Sequence, residues 1–232
     1  MPMTAQTRGA GSLAACPARA EVDASALLAD WFAHRLLAPM QACDVKQLQT
    51  AEGRHFVRSL GDALDCEAAA HALLAAAGDA PAVAEVRLSR DYLLLFEGIN
   101  GPKSISLYES SHCGNGVGLF GAPFVEMQEI LRALDIRLDD PCREPPDHLA
   151  IELAALAKAL RLGKRDIADG LVTRLCRWTP SIGGAVTTSP HCGFYRHLFA
   201  LLDAFLVATA SLLRPTADRA PHAYQEADHA RH

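Results

Sequence analysis

The chain has 232 residues, half of them hydrophobic, with 22 basic against 27 acidic side chains, a formal net charge of −5 and a pI near 6.0. That length and apolar content suffice to bury a sizeable core in one large or two small domains. The mild acidity and the lack of any Lys/Arg cluster exclude a nucleic-acid binder and favour a cationic partner.

Residues 1–22 are rich in Ala and Gly, with no apolar stretch long enough for a secretory signal and no adjacent arginine pair. They are expected to be disordered, and the protein to stay in the cytoplasm. Seven cysteines, an odd number with no Cys-x-x-Cys pair, read as reduced thiols of that compartment. From there apolar residues recur at helical spacing, alternating strand-like runs are nearly absent and no internal repeat is visible, which predicts an all-α protein. An N-terminal helical part, 23–138, begins with a helix over Ser25 to Leu37, with Leu27, Leu28, Trp31, Phe32 and Leu36 on its packed side and Pro39 ending it. Helices follow over Val45 to Leu60, Cys66 to Ala77 and Pro81 to Phe96, the last packing through Val83, Val86, Tyr92, Leu93 and Phe96.

Between Glu97 and Pro123 the pattern breaks into a Gly-, Ser- and Asn-rich segment containing Gly114-Asn115-Gly116-Val117-Gly118. No strand precedes these glycines and no Gly-Lys-Ser/Thr follows, so a flexible loop is expected rather than a phosphate site. A helix over Phe124 to Ile136 then stops at Asp139-Asp140-Pro141. Residues 139–146 read as a proline-rich hinge, 147–214 as a C-terminal helical part and 215–232 as a polar, disordered tail. The C-terminal part holds helices over Asp147 to Leu162, closed by Gly163, over Arg165 to Trp178, and over Cys192 to Leu213. The apolar run from Leu198 is interrupted by Asp203, so no membrane span is expected.

The chemistry concentrates where the hinge meets its helix, in Glu144-Pro145-Pro146-Asp147-His148-Leu149-Ala150-Ile151-Glu152-Leu153. Prolines set φ for a helix start, which places Asp147 and His148 beside unsatisfied N–H groups in the first turn. His148 and Glu152, four apart, share a stripe different from that of Leu149, Leu153, Leu156 and Leu160, and are expected to face a partner. Acids at Asp139, Asp140, Glu144, Asp147 and Glu152 are natural partners for arginine guanidinium groups. No Gly-x-Ser-x-Gly elbow, His-Glu-x-x-His or dinucleotide fingerprint occurs, so no enzyme is expected, nor any cofactor. A helical metal protein using His148, Glu152 and a cysteine is the alternative from another class.

Glu-Pro-x-Asp-His before an apolar helix, Tyr108-Glu109-Ser110 upstream, and Trp178-Thr179-Pro180 followed by Phe194, Tyr195 and Leu198 resemble the signature segments of the TorD/DmsD/NarJ family of cytoplasmic chaperones for molybdenum-containing redox enzymes. The resemblance covers roughly residues 25 to 213. It implies an all-α, compact helical bundle of the TorD-like type with a proline-rich hinge. It further implies a chaperone that binds the twin-arginine signal peptide, or the amino-terminal segment, of a molybdopterin oxidoreductase subunit and holds it until its cofactor is inserted. Pro145, Asp147 and His148 match the positions the family uses in signal recognition, and Tyr108 and Glu109 match its upstream segment; Glu152 joins these site candidates from the acid cluster, and the implied working form is a monomer or a domain-swapped dimer. A NarJ-like assembly factor for an enzyme that is never exported is the family alternative. Pro146 stands where many members carry an acid, and Ala154 and Ala155 where bulky apolar residues are usual.

Overall fold

In a computed structural model, which describes residues 15–99, 101–112, 121–137 and 144–214, the described residues form nine α-helices and no strand. They are α1 (Ala15–Leu37), α2 (Ala42–Gln49), α3 (Ala51–Ala63), α4 (Glu67–Ala76), α5 (Pro81–Phe96), α6 (Ala122–Ala133), α7 (Leu149–Arg161), α8 (Arg165–Thr188) and α9 (Gly193–Leu213). The all-α bundle expected from the sequence is the fold observed. The glycine-rich stretch 114–118, most of the expected hinge and the tail from 215 lie outside the described residues.

The centre of the bundle is α7. Its only exposed positions are Ala154, Lys158 and Arg161, one narrow stripe, and the rest of its surface is buried. Ala150, Ala155, Ala157 and Ala159 make this possible, because small side chains let neighbouring helices approach closely. α1 lies along α7, α8 packs on it from another side, and α9 fills the space between α8, α4 and α1. Buried side chains from both the N- and C-terminal parts form one continuous core. α9 is long and apolar enough to cross a membrane by length and composition, but Phe194, Tyr195, Leu198, Phe199, Leu202 and Phe205 place that apolarity in the core.

Several boundaries differ from the sequence expectation for local reasons. α1 starts at Ala15, inside the segment expected to be disordered, since alanine-rich sequence has high helix propensity. Its core face is Ala26, Ala29, Phe32, Ala33 and Leu36, with Leu27 63% exposed and Trp31 half-buried. On α5 the core takes Ala84, Leu88, Tyr92 and Leu95, leaving Val83 and Val86 outside. In α1 the small residues Ala26, Ala29 and Ala33 share the contact with Phe32 and Leu36, and in α5 the buried stripe runs through Ala84, Leu88, Tyr92 and Leu95 and bypasses the two valines. The single helix expected over Val45 to Leu60 is two helices, because Thr50 is extended (φ −65°, ψ 164°), accepts from Gly53 N through its hydroxyl at 2.9 Å and caps α3. α8 continues past Trp178 through Pro180 to Thr188. Proline removes one helical donor there, and the Ser181 hydroxyl donates to the Trp178 carbonyl at 2.7 Å just beyond it. Gly163, at φ +66°, closes α7 as expected, its N–H donating to Leu160 O at 3.1 Å.

Candidate functional site

The sequence between α5 and α6 returns over the bundle, anchored by buried Ile105 and Leu107, and meets the residues before α7 edge to edge. Tyr108 and His148 form an antiparallel bridge in which Glu109 N donates to Asp147 O at 2.9 Å and Leu149 N donates to Leu107 O at 2.8 Å. The two motif segments, 37 residues apart in sequence, are thus one structural unit. Pro145 O accepts from His148 N at 3.0 Å, so the Pro145–His148 turn lies ahead of the helix and both prolines precede the first turn.

This changes the roles of the acid and the histidine. His148 is the N-cap of α7, its Nδ1 accepting from Ala150 N at 3.2 Å. An acceptor Nδ1 leaves the ring proton on Nε2. Burial, opposed by the charges of Glu144 and Asp147, lowers the His148 pKa to about 4. Asp147 does not cap the helix; one carboxylate oxygen accepts from Ser110 N at 3.1 Å and from the Ser110 hydroxyl. A short turn over Glu109–Ser111 is thereby pinned to the start of α7.

Glu152, one turn further on, is fully buried and does not face solvent. It accepts from Trp178 Nε1 at 3.3 Å and lies 3.7 Å from Arg174 Nε. Burial first, then the charge and hydrogen bond of Glu109, push its carboxyl well above the usual range, against the pull of Arg174 and Trp178. Arg174 also pairs with Glu109, pairs with Glu126 at 2.6 Å and donates to Pro123 O at 2.9 Å, tying α8 to the start of α6 and to the Glu109–Ser111 turn. His112 closes the unit, lying 5.4 Å from the Trp178 ring and making a 2.9 Å hydrogen bond with Ser181.

Of the six residues marked in the sequence, Glu109, Asp147, His148 and Glu152 are buried, so the expectation that His148 and Glu152 face outward is corrected. The helix stripe they occupy is covered by the 107–112 segment and by α8. Tyr108 and Pro145 are half-buried, as is Glu144, which accepts from the Tyr108 hydroxyl at 2.6 Å. Asp139 and Asp140 lie outside the described residues. Local sequence pattern does not single out Arg174 or Glu126, and it marks Ser110 only as part of the Tyr108-Glu109-Ser110 segment, without its role as the partner of Asp147. Arg174 nonetheless carries a usable signal, a cation beside the apolar stripe of Leu171, Leu175 and Trp178, where burial demands carboxylate partners. The metal alternative finds its residues engaged elsewhere, His148 with Ala150 N and Glu152 with Trp178 and Arg174. Among the described residues no group of three metal-ligating side chains gathers.

In this all-helical bundle the buried polar side chains of the centre hold backbone and neighbouring helices together. The sequence profile of the nitrate reductase delta subunit family matches residues 60–177, more than half of the chain, and the chain belongs to that family of TorD- and NarJ-type chaperones, which are not enzymes. It is 25% identical over 191 residues to the chaperone protein TorD of Vibrio cholerae serotype O1, covering 76% of this chain and 86% of that protein. The chaperone proteins TorD of Vibrio parahaemolyticus (24% identical, 75% and 87% covered) and Aliivibrio fischeri (26%, 76% and 88%) are similar to it over the same length.

Proposed function

We propose that this chain is a cytoplasmic, system-specific chaperone that binds the twin-arginine signal peptide or amino-terminal segment of a molybdopterin oxidoreductase subunit and holds it until its cofactor is inserted. The observation that carries this reading is the interlocking of Tyr108–Ser110 with Pro145–His148, the two segments that resemble the family's signature, into one hydrogen-bonded unit. Within it the roles divide. Asp147, His148, Glu109 and Glu152 fix the geometry from inside, and Tyr108, Glu144 and Pro145 form the edge that a peptide reaches. The mechanism is stoichiometric binding, with carboxylates pairing with leader arginines and apolar helix surface taking the apolar part.

Calorimetric titration with the amino-terminal segment of the molybdoenzyme encoded beside this chain's gene tests the reading. Micromolar or tighter binding that weakens when the arginine pair becomes lysine supports it; absence of binding by either peptide refutes it. The family's description as a nitrate reductase delta subunit favours a second reading, an assembly factor for an enzyme that is not exported. Tight binding of a client segment that contains no arginine pair would select it.

A further inference from the structure

Next to the buried network, α6 and α8 part to leave a cleft of about 520 Å³, within the ~300–1,000 Å³ span of ligand pockets. Its walls are two facing helical stripes, with Glu126, Glu129 and Ile130 on α6 and Ile167, Gly170 and Arg174 on α8. Gly170 sits inside a 24-residue helix, where glycine costs about 1 kcal/mol relative to alanine. A Cβ built there meets no atom within 4 Å, so no neighbouring element requires glycine at this position, and its missing side chain keeps the cleft open.

The charges around the cleft are unbalanced. Arg174 is already held by Glu109 and Glu126, with Glu152 behind it, and Arg177 is the cleft's other guanidinium. Glu129, exposed on the rim, takes part in no ion pair among the described residues. Even leaving the buried Glu152 aside, the carboxylates of Glu109, Glu126 and Glu129 outnumber the guanidiniums of Arg174 and Arg177. Ile130 and Ile167 supply apolar wall beside this negative rim.

Resting on the function proposed above, we infer that the α6–α8 cleft seats the arginine-bearing stretch of the client's amino-terminal segment. An arginine pairs with Glu129 at the rim and a following apolar side chain lies over Gly170 against Ile130 and Ile167. The cleft is a second contact region beside the Tyr108–Pro145 edge, linked to it through Arg174 and Glu109.

The test is titration of the same client segment into the wild type, Glu129→Gln, Gly170→Trp and Gly170→Ala, with far-UV circular dichroism confirming that each is folded. Glu129→Gln is expected to weaken binding about fivefold, and to leave unchanged the binding of a client segment whose arginines are replaced by glutamine. Gly170→Trp, which fills the cleft, is expected to weaken it by at least about tenfold, while Gly170→Ala keeps wild-type affinity. Wild-type binding that both Glu129→Gln and Gly170→Trp retain in full would overturn the cleft assignment and leave the chaperone reading standing. Failure of the wild type itself to bind would remove both. Glu129 is a surface position, so its variant decides the question even if the tryptophan variant does not fold.

Discussion

Asp147 acts through Ser110. Replacing it with alanine leaves a buried N–H and hydroxyl without their acceptor, so Asp147→Ala is expected to lower stability by about 1–3 kcal/mol in urea unfolding. That loss would accompany any loss of peptide binding, and binding should therefore be measured where the variant is fully folded. His148 titrates in the opposite sense to Glu152. Its folded pKa, about 4, lies below the ordinary 6.5, so the unfolded chain takes up the proton first and stability falls as pH drops from 6.5 to 4. His148→Asn keeps an N-cap acceptor and removes the titration, and is expected to flatten that acid limb in unfolding midpoints measured across pH. For Glu152 the folded carboxyl holds its proton above the ordinary 4.5, so its contribution is full below that pH and is lost as pH rises. Glu152→Gln should reduce the decline on the alkaline side while keeping an acceptor for Trp178. A Glu152→Gln stability profile that parallels the wild type would show that the carboxyl does not titrate differently on folding.

At the scale of elements, the structure depends on a few places where backbone meets backbone. Gly53, in the first turn of α3, is one: a Cβ there would stand 2.0 Å from Gln47 O. Gly53→Ala forces apart the α2–α3 corner and is expected to cost about 1–3 kcal/mol, against the small gain that alanine brings to an ordinary helix interior. A melting temperature equal to the wild type's would show that the corner relaxes freely. Helices are legible in the sequence where large apolar residues mark them, as in α5, whose limits match the expected Pro81 and Phe96. They are hidden where the deciding residue is small or polar. Thr50 splits one expected helix into two through a hydroxyl cap, and Pro180 sits inside a helix that packing sustains. The alanines of α7 bury nearly all of its surface, although the sequence pattern shows only the leucine stripe. The site is legible in the same partial way. Local motifs name the Tyr108 and His148 segments, but that they bridge each other, and that Arg174 joins Glu109 to Glu152, depends on tertiary pairing that no local spacing encodes.

Across the whole molecule, the N- and C-terminal parts share one core, since α1 lies against α7 and α4 against α9. A helical part cut off at the proline joint would expose the faces that its partner covers, whereas exchange of the C-terminal part between two copies would preserve every such contact. The two tryptophans report on this, because Trp31 lies on α1 and Trp178 on α8. Trp31→Phe leaves only the C-terminal reporter and Trp178→Phe only the N-terminal one, and in each variant fluorescence should follow the same urea midpoint as that variant's circular dichroism. Trp178→Phe also loses the hydrogen bond to Glu152, so its midpoint falls relative to the wild type, but its two probes should still coincide. Fluorescence that lags or leads circular dichroism in either variant would mean that the parts unfold separately, and that the proline joint divides two domains instead of linking two halves of one core.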